Sequence, residues 1–379
     1  MKCTNTREFK VILFNHGRSI MKITVIGAGN TGITMAGHAS SKGHDVSLWN
    51  RNREEVPELF ETKTVELKGV IEGSYTLYNV TTDMRVALKD TELVLITTPS
   101  FAHRDIAKLV AESLENDTTV ILFPGRTFGV LEFIAGYKAY SNSNKVQVAE
   151  TQTAIYTCRK LSDTQADLLS IKKNVSFSFL DGRDNERLYE TLPDFLKDSL
   201  TPAKSLVETS IGNVGMMLHC APLLLNAGWT ENEDYSYMYY KEGITPRIAR
   251  FIERLDEERL SVAKKFNQEI ESVSSWVKRI YGVEGDNLYE RIQNTRPYDT
   301  IEAPNSLDFR YITEDVPNGL VPLESAGKYL GLEMNYTSLV IDLASALLET
   351  DFRKNGRNLK DLFESEQEVV QLLFDRGED

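Results

Sequence analysis

The sequence predicts an α/β domain built on a doubly wound parallel sheet, followed by an all-α second domain. Three observations carry that prediction. Short apolar runs of strand length alternate with helical patterns as far as about Leu200, which argues a parallel sheet covered on both faces. Beyond Leu200 the strand signals fade, and apolar residues recur at helical spacing. Glycines at 27, 29 and 32 stand between an apolar strand and a helical pattern over Ile33 to Ser41.

The glycine stretch, Lys22-Ile-Thr-Val-Ile-Gly27-Ala-Gly29-Asn-Thr-Gly32, organises the rest. It is a G-x-G-x-x-G fingerprint in the strand–turn–helix context that gives the pattern meaning, and it makes the first domain Rossmann-type. Gly27 permits a tight turn, Gly29 lets a pyrophosphate approach the backbone, and Gly32 lets helix and strand pack closely. Asn30, Thr31 and Gly32 open the helix, where free N–H groups and the dipole favour phosphate. The competing reading is an ordinary glycine-rich turn.

Asp45-Val-Ser-Leu-Trp49 reads as the second strand, closed by Asn50 and Arg51. An Asp or Glu there would accept the ribose 2′-hydroxyl of NAD, whereas a neutral amide and a guanidinium suit a 2′-phosphate. NADP is therefore favoured as cofactor, with NAD as the alternative; Arg51 and Arg53 as solvated loop charges are the bland reading. Val65 to Asn79 reads as short strands and turns, and Met84 to Leu88 as helix. Glu92 to Thr98 is the next buried strand, placing Thr98, Pro99 and Ser100 at the strand ends beside the dinucleotide. His103 reads as a surface or cap histidine. Strands follow at Thr118 to Phe123, Val146 to Ala149 and Asn174 to Leu180, with a helix over Leu188 to Phe195.

Thr201-Pro202 reads as a linker, which divides the chain into a nucleotide-binding domain over 21–200 and a helical substrate or catalytic domain over 201–379. Ser205 to Leu225 holds an apolar helix containing His219. From Pro246 to Tyr281 the helical spacing is sustained, Asn294 to Pro322 reads as loop, and Tyr336 to Leu348 and the acidic tail read as helix. The long helices offer a face for a homodimer. Residues 1–20 precede the first strand without a signal-peptide pattern; they read as a leader, or Met21 as the true start.

The 379 residues are 41% hydrophobic and 26% charged, a soluble globular profile. A net charge of -13 argues against nucleic acid as a partner. Cys3, Cys158 and Cys220 are scattered, suggesting neither disulfides nor a metal site and fitting a cytoplasmic location. No apolar run is long enough for a membrane span.

A dinucleotide fold with a helical companion suggests hydride transfer in the cleft between them, with acid–base groups from the helical half. His219 is the one histidine of that half, and imidazole suits proton delivery near neutral pH. In Phe309-Arg310-Tyr-Ile-Thr-Glu314-Asp315-Val-Pro317, Asp315 can orient an imidazole and Arg310 can clamp a carboxylate. The bland readings are a satisfied core histidine and a solvated charged loop.

Taken together, the glycine fingerprint, Phe123-Pro-Gly-Arg-Thr127, Ala149-Glu-Thr-Gln-Thr153, the His219 segment with Asn226-Ala-Gly228, Arg310 to Pro317 with Gly319-Leu-Val-Pro322, and Gly356-Arg-Asn-Leu359 are similar to the NAD/NADP octopine/nopaline dehydrogenase family, the opine dehydrogenases. The resemblance runs from about Met21 to Phe363. It implies NAD(P)H-dependent condensation of an amino acid amine with a 2-oxo acid such as pyruvate, giving a secondary-amine dicarboxylate. It also implies that His219 is the catalytic histidine, Asp315 its partner and Arg310 a carboxylate ligand. The sequence departs from the family where Met216-Met217-Leu218 precede the histidine. Glu150 and Gln152 are placed near the nicotinamide end without roles. Two other readings stay open: a ketopantoate-reductase-like 2-oxo-acid reductase, and a non-catalytic NADP(H)-binding sensor.

Overall fold

The computed structural model describes residues 20–143 and 145–374. The expectation for residues 1–20 falls almost wholly outside them.

Eight strands form the main sheet. β1 (Lys22–Ile26), β2 (Asp45–Trp49) and the later β5 (Asn79–Thr81) lie on one side. Between β2 and β5 the chain makes β3 (Thr64–Gly69) and β4 (Gly73–Thr76), which belong elsewhere. β6 (Leu93–Ile96), β7 (Thr118–Leu122) and β8 (Val146–Thr151) follow, then β9 (Tyr156–Lys160), β10 (Gln165–Ile171), β11 (Val175–Phe179) and β12 (Leu200–Pro202). The main order is β12-β11-β8-β7-β6-β1-β2-β5, parallel except where β11 meets β8. β1, β6 and β7 are apolar through most of their length because both faces are covered.

A second sheet, β4-β3-β10-β9, joins the short strands read over Val65 to Asn79 to β9 and β10, which the sequence reading lacks. Its strands come from two separate insertions, and β3 pairs with β10 across about a hundred residues of chain, a partnership without local signature. It covers the helix Asn30–Ser41, where Gly37 leaves room for Leu67 and Val65. Lys160, at the end of the edge strand β9, donates its backbone N–H to the Asn30 side chain at 2.9 Å. The insertion thus reaches the glycine loop.

Several expected boundaries move. Thr201 and Pro202 are not a linker but the last strand, paired with Ser176 and Phe177. The helix expected over Leu188 to Phe195 is two short ones, Asn185–Tyr189 and Asp194–Lys197, because Pro193 cannot continue the first. The long periodic run is also two helices, Pro246–Lys265 and Val273–Tyr281. Between them Asn267 adopts a left-handed φ of 59°. Asp256 accepts the N–H that opens the second helix, and fully buried Arg259 ties both pieces to the carbonyls of Ile211 and Glu271.

The stretch from Asn294 to Pro322 is not a uniform loop. It holds a short helix Arg310–Thr313, a π-helical turn Val316–Leu320 and the start of the helix Val321–Tyr329. Its prolines mislead because both Pro317 and Pro322 stand in first turns, where a missing N–H costs little. No helix among the described residues is long and apolar enough to cross a membrane.

Candidate active site

Gly27 has φ +104°, and a Cβ on Gly32 would sit 1.8 Å from the Gly27 carbonyl oxygen, so no side chain fits there. Gly29 faces open space, with nothing within 4 Å of a would-be Cβ. Half-buried Thr31 stands behind it in the first helical turn. Across the loop, the Thr98 hydroxyl is buried without a hydrogen-bond partner. A bare backbone concavity, a helix N-terminus and an unsatisfied hydroxyl are what a dinucleotide pyrophosphate requires, so these residues fit the cofactor.

At the end of β2 the structure corrects the reading of the side chains. Asn50 is buried and committed within the protein. Its oxygen accepts from Ala28 N–H at 3.2 Å, and its amide donates to the Asn52 carbonyl at 2.9 Å and to Glu55 at 3.0 Å. Arg51 is exposed and paired with Glu55 at 3.3 Å. Asn50 is therefore not free for a 2′-phosphate, whereas Arg51 engages Glu55 through Nε and keeps 77% of its side chain exposed. Ser100 also departs from expectation: Pro99 is exposed at the rim, but Ser100 turns inward and donates to Glu314 of the helical domain at 3.2 Å.

His219 lies in the middle of the helix Gly215–Leu225, which contains Pro222. The ring of Pro222 removes the N–H that would serve Leu218. The Tyr239 hydroxyl stands over that site instead, 3.2 Å from the Leu218 carbonyl and 2.6 Å from that of His219. The imidazole stacks on Tyr311, centroids 3.8 Å apart at 9°. His219 Nδ1 lies 2.7 Å from Asp315 Oδ2, which directs Nε2 away from the carboxylate.

Asp315 is buried, and its other oxygen faces Arg126 at 3.2 Å, an ion pair not aligned as a hydrogen bond. Arg126 also pairs with Glu314 at 3.3 Å, and Glu314 pairs with Arg310 at 2.8 Å. Burial pushes the Asp315 carboxyl up, but Arg126 and then His219 outweigh it and hold it below its ordinary range. Arg126 and Arg310 do the same for Glu314 against its own burial. The site therefore holds two carboxylates, two guanidiniums and one imidazole at a single mouth. Arg310 is its most solvent-open member, with 62% of its side chain exposed.

Arg126 is a residue to which sequence reasoning assigns no role. It sits at φ +61° in the turn Phe123-Pro-Gly-Arg-Thr127, which the sequence places at the rim of the strand ends and among the matching motifs without a role for the arginine. The available signal is its position beyond the end of β7, where such sheets bind ligands. His103, expected at the surface, is fully buried. Arg357 donates to it at 3.3 Å, and to the carbonyls of Gly125 at 3.1 Å and Thr127 at 2.6 Å. Arg357 thereby fixes the turn that carries Arg126. Glu150 lies beneath the same turn, bonded to Ser210, Thr209 and the Val130 N–H. Gln152 reaches the Gly212 carbonyl at 3.0 Å, beside Asn213, whose buried amide nitrogen has no partner.

A nucleotide-binding sheet whose mouth is closed by a helical domain bearing a histidine–carboxylate pair defines an NAD(P)-dependent dehydrogenase. Residues 202–348 match the family model for the α-helical domain of NAD/NADP octopine/nopaline dehydrogenases. Residues 22–134 match the N-terminal model of NAD-dependent glycerol-3-phosphate dehydrogenase. The chain is 33% identical to the opine dehydrogenase of Arthrobacter sp. strain 1C over 343 residues, covering 89% of this chain and 94% of that protein. It is 24% identical over 347 residues to the vitopine synthase of Allorhizobium ampelinum, covering 89% and 94%. An octopine dehydrogenase solved with NADH and L-arginine shares the fold at TM-score 0.73 and 18% identity, covering 94% of this chain and 96% of that one. Yersinopine dehydrogenase aligns at TM-score 0.75 with 14% identity, covering 92% and 99%. The chain belongs to the opine dehydrogenase family, NAD(P)-dependent oxidoreductases.

Proposed function

We propose that this enzyme joins the amine of an amino acid to a small 2-oxo acid such as pyruvate and reduces the product at the cleft mouth. The carrying observation is the His219–Asp315 contact of 2.7 Å at the junction of the two domains. The kinship with an opine dehydrogenase, and fold neighbours solved with L-arginine and with pyruvate, support that substrate class.

A dinucleotide held by the glycine loop and Thr98 would supply the hydride; everything else falls to side chains of this chain. Arg310, the most open cation at the mouth, receives the oxo-acid carboxylate through its guanidinium and gives up part of its pairing with Glu314. His219 Nε2 delivers the proton that lets oxygen leave as water once the amine has added to the carbonyl. Asp315 holds the ring in one tautomer and stabilises its charged form, as carboxylates do beside other catalytic imidazoles. Arg126 keeps Asp315 ionised and is a positioning residue. The Asn213 amide oxygen accepts the Gly215 N–H at the start of the His219 helix, while its buried, unpartnered nitrogen is left to donate to a substrate oxygen.

NADH and NADPH both fit the glycine loop. Arg51 supports NADPH, while the Glu55 carboxylate at its side opposes a 2′-phosphate. The reaction is tested by following cofactor oxidation with a panel of 2-oxo acids, each with and without amino acids. Turnover that requires both substrates is expected. Equal oxidation with the oxo acid alone would instead assign the chain a plain 2-oxo-acid reduction.

A further inference from the structure

Just past the end of β2 the chain carries two acids, Glu54 and Glu55, and one of them is tied back to the strand. Glu55 follows the strand on a short 3-10 turn, Arg53–Glu55, and its carboxylate is partly exposed. It is tied to the glycine loop through one side chain: the Asn50 amide donates to Glu55 at 3.0 Å while its oxygen accepts from Ala28 N–H at 3.2 Å. In this fold the adenosine ribose lies between the glycine loop and the end of the second strand, and an acid there reads the 2′-hydroxyl. Here the acid comes from five positions further along the chain and is held at the strand end by the amide of buried Asn50.

The surrounding cations are matched. Arg51 pairs with Glu55 at 3.3 Å, Lys160 with Asp163 at 3.5 Å, and Arg53 with Glu61 at 3.8 Å while lying over the Phe60 ring. The Asn50 hydrogen bond, helped by Arg51, keeps the Glu55 carboxyl below its ordinary range, so it is an anion at neutral pH. An anion tethered there would accept from a ribose hydroxyl and repel a 2′-phosphate.

We propose that Glu55 receives the adenosine ribose and makes this enzyme select NADH, with Arg51 becoming a 2′-phosphate ligand only when that carboxylate is neutralised. The inference rests on the dinucleotide reading of the glycine loop, and it reverses the preference that Asn50 and Arg51 suggest in sequence. The test is binding without substrates, by quenching of tryptophan fluorescence with NADH and NADPH; Trp49 lies at the end of β2. The wild-type protein should bind NADH about tenfold more tightly than NADPH, the scale of a single charge-assisted hydrogen bond. Glu55→Gln keeps an acceptor for Asn50, so the fold should persist, as its circular dichroism will show. It should weaken NADH, strengthen NADPH and level or invert the ratio, and adding Arg51→Ala should abolish the NADPH gain. A wild-type preference for NADPH, or unchanged constants in Glu55→Gln, would overturn the proposal. Failure of both dinucleotides to bind would remove the cofactor reading and this inference with it. Selective NADH binding with no turnover on amino and oxo acids would leave this inference standing and reject the condensation.

Discussion

The two ends of the cofactor groove are built in opposite ways. The end proposed for adenosine comes from near neighbours in the chain, the glycine loop, Asn50, Arg51 and Glu55, with Lys160 a distant contributor among the described residues. The catalytic mouth draws Ser100, Arg126, His219, Arg310, Asp315 and Arg357 from across the sequence. The charges differ as well. Those at the adenosine end are exposed and paired one to one, where a pair contributes little to stability. Those at the mouth are mostly buried in one connected cluster, where removing a member leaves an uncompensated charge. A site made this way is rigid and sensitive at its chemical end and adjustable at its recognition end.

The largest expected effect is at the imidazole. His219→Ala should lower kcat by about 10²- to 10⁴-fold, the range for loss of a general acid, while NADH binding stays near the wild-type value. Stopped-flow turnover beside fluorescence titration separates the two. Turnover close to wild type would remove the acid–base assignment, and a loss of NADH affinity would show that the two ends are coupled.

Next come the two arginines of the mouth, which should fail differently. Arg126→Leu strands Asp315, of which only 2% of the side chain is exposed, and a loss of roughly 3–5 kcal/mol in stability follows. The Asp315 carboxyl now stands below its ordinary range, so its contribution is present above the unfolded pKa and lost as pH falls through the folded one. Without Arg126 the carboxyl protonates at higher pH, and the acid limb of kcat/KM should move upward. Arg310→Ala removes an exposed cation, so Tm should hardly change while KM for the oxo acid rises about tenfold. If both variants melted alike and left KM alone, the division between positioning and clamping would be wrong.

The same contrast explains what is legible in the sequence. The glycine loop, β1, β2, β6 and β7 can be read there because strand periodicity and turn chemistry act within a few residues. The commitments of Asn50 cannot, since an amide's choice between its own backbone and a ligand leaves no trace in spacing. His219, Asp315 and Arg310 stand out as residue types, but their meeting depends on packing between helices far apart in the chain, and only family resemblance pairs them. Arg126 escapes because its turn looks structural. The second sheet escapes because β3 and β10 lie far apart in the chain and carry no local mark of their pairing.

An effect visible only through its pH dependence concerns two carboxyls that the same sequence treats oppositely. Glu55, exposed and hydrogen-bonded by Asn50, is held below its ordinary range. Glu150 is fully buried under the Arg126 turn, and burial pushes it up to about 7 despite its bonds to Ser210 and Val130. A group whose folded pKa is raised favours its protonated form in the native state. The native protein therefore keeps that proton while the unfolded chain loses it, and stability falls as pH rises from the unfolded value of 4.5 towards about 7. At roughly 1.4 kcal/mol per pKa unit the full effect is on the order of 3 kcal/mol. Glu150→Gln presents a neutral group of the same shape, and the Ser210 and Thr209 hydroxyls can turn to accept its amide. The variant should match wild type in Tm near pH 5 and exceed it at pH 8, as measured by thermal melts across that range. A difference that stays constant with pH would mean that Glu150 does not titrate there, and that the mouth tolerates an ionised carboxylate beneath it as readily as the adenosine end tolerates Glu55 in the open.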